Sequence, residues 1–188
     1  MINTHKLSEI YSFVRYVHGN QFRDDDSYYL NHLTWVADSS SQFMGVHNKY
    51  YSFEQYLYAS AVGYLHDFFE DCPHHLLQHI ELDDFILENM RILTNDKHKS
   101  LEERTLEFGR IAVVVKVFDR IHNLQSCVGV WKPSRIRKYL DKSYSFLEAL
   151  KKRNQDFFPE QELLLLFQWQ LDVAELALAK INLENSVK

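Results

Sequence analysis

The chain is short of the residues that break helices and of those that cross-link. It contains only five glycines and three prolines in 188 residues. That is too few turn formers for an architecture of many short strands, and it favours long helices. The two cysteines, Cys72 and Cys127, stand far apart without CxxC spacing. A disulfide framework is thereby excluded, and the pair reads as free thiols in a reducing, cytoplasmic compartment. Long apolar runs are missing too. The most apolar late stretch, Leu163 to Phe167, is bounded by Glu162 and Asp172 and cannot span a bilayer. The first six residues lack the apolar segment of a signal peptide. Basic residues are also in the minority. A net charge of −5 argues against a nucleic-acid coat, which needs a basic face, while a small anionic substrate remains compatible with locally placed cations.

What the chain does have is apolar and aromatic side chains, 46% and 14% of its residues, enough to bury a core. The expected architecture is an all-α, compact helical bundle forming a single domain over 1–188, with a motif core at about 10–150 and a closing helix at about 159–182. Leu7, Ile10, Tyr11, Val14 and Val17 recur at helical spacing and stop at His18-Gly19-Asn20. A second helix is predicted from Tyr28, carrying His32 and burying Trp35 and Val36, followed by a loop over 39–50, which is rich in Ser, Gly and Asn. Ser100 and Glu103 have the spacing of a capping box. Ile111 to Phe118 is strand-like by propensity; with no partner run in the chain it reads as a helix buried on most of its surface. Two closing helices cover 134–152 and 159–181. No internal repeat occurs.

The informative stretch is Ala61 to Asp71. Phe53, Tyr56, Leu57, Ala61, Tyr64, Leu65 and Phe68 form one buried helical stripe. At roughly 100° per residue, His66, Asp67 and Glu70 share another arc near the helix end. Ala59 and Gly63 lie on the same arc, and a mid-helix glycine points to a neighbouring helix packed close. Asp119 follows the apolar run 111–118, and a buried carboxylate there needs a cation or donors around it.

Two histidines and two carboxylates, His32, His66, Asp67 and Asp119, make a mixed N/O ligand set suited to Mn, Fe or Zn. An ion so held lowers the pKa of water and polarises phosphoryl oxygens. Glu70, beside Asp71, is placed to move a proton, and Asn123, four residues after Asp119, to orient a phosphate or water. His74, His75 and His79 form a rival cluster that lacks paired carboxylates and reads as a solvated face. Of the basic set Lys132, Arg135, Arg137, Lys138 and Lys142, only Arg135 is singled out as functional.

His32, then His66-Asp67 with Glu70-Asp71, then Asp119 with Asn123, resembles the HD superfamily of metal-dependent phosphohydrolases. Within it the chain is most similar to the hydrolase domain of RelA/SpoT homologues and, by size, to small alarmone hydrolases. The resemblance covers about 10–150 and is carried by Leu65 to Asp71, Leu93 to Lys97 with Glu103-Arg104, Val115 to Leu124, and Arg135 with Tyr139. It implies an all-helical fold and one metal, usually Mn, held by His32, His66, Asp67 and Asp119, with Glu70, Asp71 and Asn123 catalytic. It also implies that Arg23, Lys97, Ser126, Arg135 and Tyr139 contact a nucleotide. The implied reaction removes the 3′-pyrophosphate of guanosine tetra- or pentaphosphate. Two departures stand out: Asp24 replaces the second of a basic pair, and Leu33 stands where proline is common. The alternatives are a hydrolase acting on an adenine alarmone or a nucleoside monophosphate, and a nucleotide-binding module without turnover.

Overall fold

A computed structural model describes residues 2–95, 98–153 and 158–186. Among them the helices run α1 Thr4–His18, α2 Tyr29–Val46, α3 Phe53–Leu65, α4 Phe68–Asp71, a 3₁₀ turn His74–His79, α5 Asp84–Leu93, α6 Leu101–Arg104, α7 Arg110–Cys127, α8 Pro133–Arg153 and α9 Phe158–Ser186. The all-α class is realised, and the described residues form no strand. A single bridge, Phe22 to Tyr28, closes the loop before α2. Helix starts follow local chemistry. The Asn3 side chain accepts from the Lys6 amide, and Ser52 with Gln55 and Ser100 with Glu103 form reciprocal capping boxes that satisfy otherwise orphaned N–H groups.

α7 is the central element. Every residue from Ile111 to Ile121 is buried, because α2, α3, α5 and α9 pack around it. Burial on all sides overrides the strand propensity of its valines, and the run is helical as expected. A second core cluster joins α1, α2, α3, α4 and α5 through Ile10, Leu33, Leu57, Ala61, Phe68 and Met90.

Three local expectations are corrected. The loop predicted over 39–50 is helical as far as Val46, because Ser40 and Ser41 are buried small residues on a helix packed against α3. The helix carrying His66 does not continue to Glu70: α3 ends at Leu65, and the chain turns through His66 and Asp67 (φ −99°, ψ 2°) before the one-turn α4. Phe53, assigned to the core stripe, is 69% exposed and stacks on Tyr56 at 5.8 Å. It occupies the first position of α3, where the helix rises out of its packing surface.

The close approach inferred from Gly63 is present. A Cβ at Gly63 would lie 2.6 Å from Ala37 Cα, so α2 and α3 touch backbone to backbone. Gly63→Ala forces them apart and is expected to destabilise the protein by about 1–3 kcal/mol, measured as a lowered urea midpoint with an unchanged m-value.

Candidate metal centre

Separate segments each deliver part of one cluster. His32 comes from α2, Asp119 from α7, and His66 and Asp67 from the turn after α3. One ligand atom from each lies within 4.8 Å of the others, the one such group found among the described residues. His66 Nε2 is 3.1 Å from Asp67 Oδ2 and 3.7 Å from Asp119 Oδ1. His32 Nε2 is 3.7 Å and 3.4 Å from the same two oxygens. The break at His66 and Asp67 has a purpose here, since it turns two consecutive side chains toward one point, which two consecutive positions on a straight helix do not share.

The donor chemistry fits a cation. His66 Nδ1 donates to the Gly63 carbonyl at 2.7 Å, which leaves Nε2 as the inward-facing nitrogen. That atom is buried and makes no well-aligned hydrogen bond, although Asp67 Oδ2 lies close by. Two carboxylates facing it can only accept, so the space between them suits either a proton on Nε2 or a metal ion. Burial alone pushes the His66 imidazole down, but Asp67 and Asp119 outweigh it and raise it to about 10. Burial likewise opposes the charge on Asp67 and Asp119, yet their cationic and histidine partners hold both well below the usual carboxylate range. These four residues can hold a metal ion.

A second ring of residues fixes the first. Lys116, itself buried, meets Asp119 Oδ2 at 2.8 Å, while Asn123 Nδ2 donates to Asp119 Oδ1 at 2.6 Å. His32 Nδ1 lies 3.0 Å from His122 Nδ1. Burial, reinforced by His32 and Arg23, lowers His122 to about 4. A neutral His122 accepts the His32 Nδ1 proton and leaves His32 Nε2 free to ligate. The Tyr29 hydroxyl lies 2.7 Å from Asp67 Oδ2 and 2.6 Å from Asp71 Oδ2, with one proton to share between them. Burial, then Asp67, keeps that phenol protonated. The His18 ring stacks on Tyr29 at 5.4 Å. Of these supports, Lys116, His122, Tyr29 and His18 were not singled out in the sequence. A lysine at the i−3 position to Asp119, inside an apolar run, was the available signal for the first.

The centre opens into a cavity of about 350 Å³. Glu70, Asp71, Asn123, Arg23, Ser126, Arg135 and Tyr139 all line it. Glu70 is turned to Asn95, accepting from its backbone and side-chain nitrogens at 2.8 Å and 2.6 Å. Arg23 Nη2 donates to Asn123 Oδ1 at 2.7 Å and Ser126 Oγ at 3.0 Å. Arg135 is clasped: its guanidinium donates to Asp24 Oδ2 at 2.7 Å and lies 4.0 Å over the Trp131 ring, whose Nε1 donates to the same oxygen at 2.9 Å. Lys97 falls outside the described residues. His74 and His79 are exposed and bond to the Phe69 carbonyl and to Gln78. His75 and His79, four positions apart, sit on a 3₁₀ turn, where i and i+4 do not share a face. Arg137 pairs with Glu175 at the surface.

A scan against protein-family models finds no match, and a search of curated proteins finds none either. The described helices include none long and apolar enough to cross a membrane.

In metal-free protein the raised His66 contributes stability that is complete below its ordinary range and lost as the pH climbs through about 10. The depressed Asp67 and Asp119 contribute stability that is present above the usual carboxylate range and lost as the pH falls. A cation must displace the His66 proton. Binding of Mn²⁺ near pH 7.5 is therefore expected to release about one proton per ion and to weaken as the pH falls. Calorimetry in two buffers of different ionisation enthalpy measures both effects; zero proton release would exclude an imidazolium His66.

Proposed function

We propose that this chain is a metal-dependent phosphohydrolase of the HD type that removes the 3′-diphosphate of guanosine tetra- or pentaphosphate, returning GDP or GTP and pyrophosphate. The observation that carries the reading is the gathering of His32, His66, Asp67 and Asp119 at the floor of a cavity walled by both carboxylates and guanidinium groups. The order and spacing of Glu70-Asp71 and Asp119-x-x-x-Asn123 around these ligands support it.

Manganese, the ion of choice on this reading, supplies Lewis acidity toward a phosphoryl oxygen and lowers the pKa of water. The protein supplies the rest. Asp71 and Glu70 stand at the cavity wall as carboxylates able to take a proton from the attacking water. As the water oxygen bonds to phosphorus, the bond to the ribose 3′-oxygen breaks, and that oxygen takes up the proton the carboxylate removed from the water, leaving a free 3′-hydroxyl and restoring the carboxylate. Tyr29, shared between Asp67 and Asp71, links the carboxylate that gains a proton to the metal-ligating one. Asn123, held between Asp119 and Arg23, is set to orient a phosphoryl oxygen. Arg23 has only neutral partners among its hydrogen bonds, Asn123 and Ser126, and offers its charge to phosphate.

A second reading is favoured by the clasp on Arg135. The cavity lining includes the carboxylates Asp24, Asp25, Asp67, Glu70, Asp71 and Asp119 against the cations Arg23, Lys116, Arg120 and Arg135. An acidic wall of this kind suits a nucleotide with fewer phosphates, such as a nucleoside monophosphate.

Manganese-loaded protein incubated with guanosine and adenosine alarmones, nucleoside mono- and triphosphates and cyclic nucleotides separates the two. Pyrophosphate from guanosine tetraphosphate, abolished by Asp67→Ala, is the expected result. Orthophosphate from monophosphates supports the second reading, and binding without product overturns both. Asp24→Asn removes the carboxylate charge that neutralises the Arg135 guanidinium. Both partners are more than half exposed, so the effect is modest: KM for the polyphosphate substrate is expected to fall roughly two- to fivefold with kcat unchanged.

A further inference from the structure

The longest helix is apolar on two opposite sides. α9 buries Leu163, Phe167, Leu171, Ala174 and Leu178 against the bundle. Its outer side nonetheless carries Leu165, Leu166, Trp169, Val173, Leu176 and Leu183, each 39–72% exposed. These six recur at intervals of one, three, four and seven residues, so they form one stripe about 27 Å long at 1.5 Å per residue. Single exposed apolar residues are ordinary, whereas a continuous row of large ones marks a contact surface. A helix apolar around most of its circumference is built to be covered on both sides.

The charges on the same side of the helix as the stripe specify the partner. Glu162, 3.4 Å from His47, and Lys180, 4.0 Å from Glu184, are both exposed, and each lies nine positions from Leu171 along the helix. Pairing the outer face of α9 antiparallel with that of a second α9, about a two-fold axis crossing the helix at the level of Leu171, sets Glu162 of each copy against Lys180 of the other. The same operation sets Leu166 against Leu176 and Trp169 against Val173. A two-fold contact has to be self-complementary, with residue i meeting j and j meeting i, and this stripe satisfies that in both charge and apolarity. We propose that the outer face of α9 is the interface of a homodimer in which two α9 helices pack antiparallel. The candidate metal centre uses no residue of α9, so the interface is separate from it.

Sedimentation equilibrium of the whole chain across a wide concentration range tests the assembly. A reversible dimer is expected. Leu176→Glu should raise its dissociation constant tenfold or more while leaving the far-ultraviolet helical signal and the Mn²⁺ affinity unchanged. Glu162→Lys should weaken the dimer, and adding Lys180→Glu to that variant should restore it, because the swap rebuilds the pair across the axis. A monomer at every concentration overturns the proposal, as does a dimer indifferent to Leu176→Glu. Failure of the double variant to recover overturns the antiparallel arrangement. A monomer that floats with anionic phospholipid vesicles would assign the stripe to a lipid surface and overturn it too.

Discussion

The rest of the structure depends on holding two carboxylates and two imidazoles together in an apolar interior. Burying a charge without partners is prohibitive, and the fold balances this one. Asp67 and Asp119 are offset by Lys116 and by the protonated His66, so the metal-free cluster is close to neutral. A divalent ion that takes the place of the His66 proton leaves the same cluster with one net positive charge. With an ion bound, the centre would change from a balanced internal network into one carrying net positive charge at the floor of the cavity.

Close packing makes the geometry available. His32 and His66 belong to neighbouring segments, and their Nε2 atoms can face the same two oxygens only because α2 and α3 approach at Ala37 and Gly63. The same glycine orients the ring, since its carbonyl accepts the His66 Nδ1 proton. One residue thus sets both the distance between two ligand-bearing segments and the tautomer of one ligand. The turn at His66-Asp67 completes the arrangement by aiming adjacent side chains at one point, with Tyr29 bonded to Asp67 from the loop side.

The bundle and the gathering of His32, His66, Asp67 and Asp119 were legible because they rest on periodicity and on spacing. The valine-rich run of α7 was recoverable from the lack of a pairing partner, and the small residue at 63 from its cost in a helix. What stayed hidden depends on three-dimensional neighbours. Ser40 and Ser41 look like loop residues until α3 is packed against them. The break after Leu65 has no proline or glycine to announce it. His122 and Lys116 are ordinary members of a helical pattern until His32 and Asp119 arrive beside them. Residues of this kind contact the clustered side chains from behind, so no spacing rule identifies them.

The far wall of the cavity is governed by different physics from its floor. The loop before α2 is short and tightly bonded, with Arg23 N donating to Ser27 O and Asp26 N to Arg23 O. Asp26 takes a left-handed conformation, φ 60°, which aspartate tolerates better than most residues. That turn directs Arg23 inward to Asn123 and Asp24 across the mouth to Arg135 and Trp131. Two adjacent residues on one turn therefore bring opposite charges to the same wall, one presenting a cation to the interior and the other neutralising a cation at the rim. The floor is buried and its charges are fixed by mutual need, whereas the rim pair is exposed and worth little on its own. On the proposed reading, selectivity among anions of different charge would be decided at the rim, where exchanging a carboxylate for a phosphate costs little, and not at the buried cluster, where any such exchange would leave a buried charge unpaired.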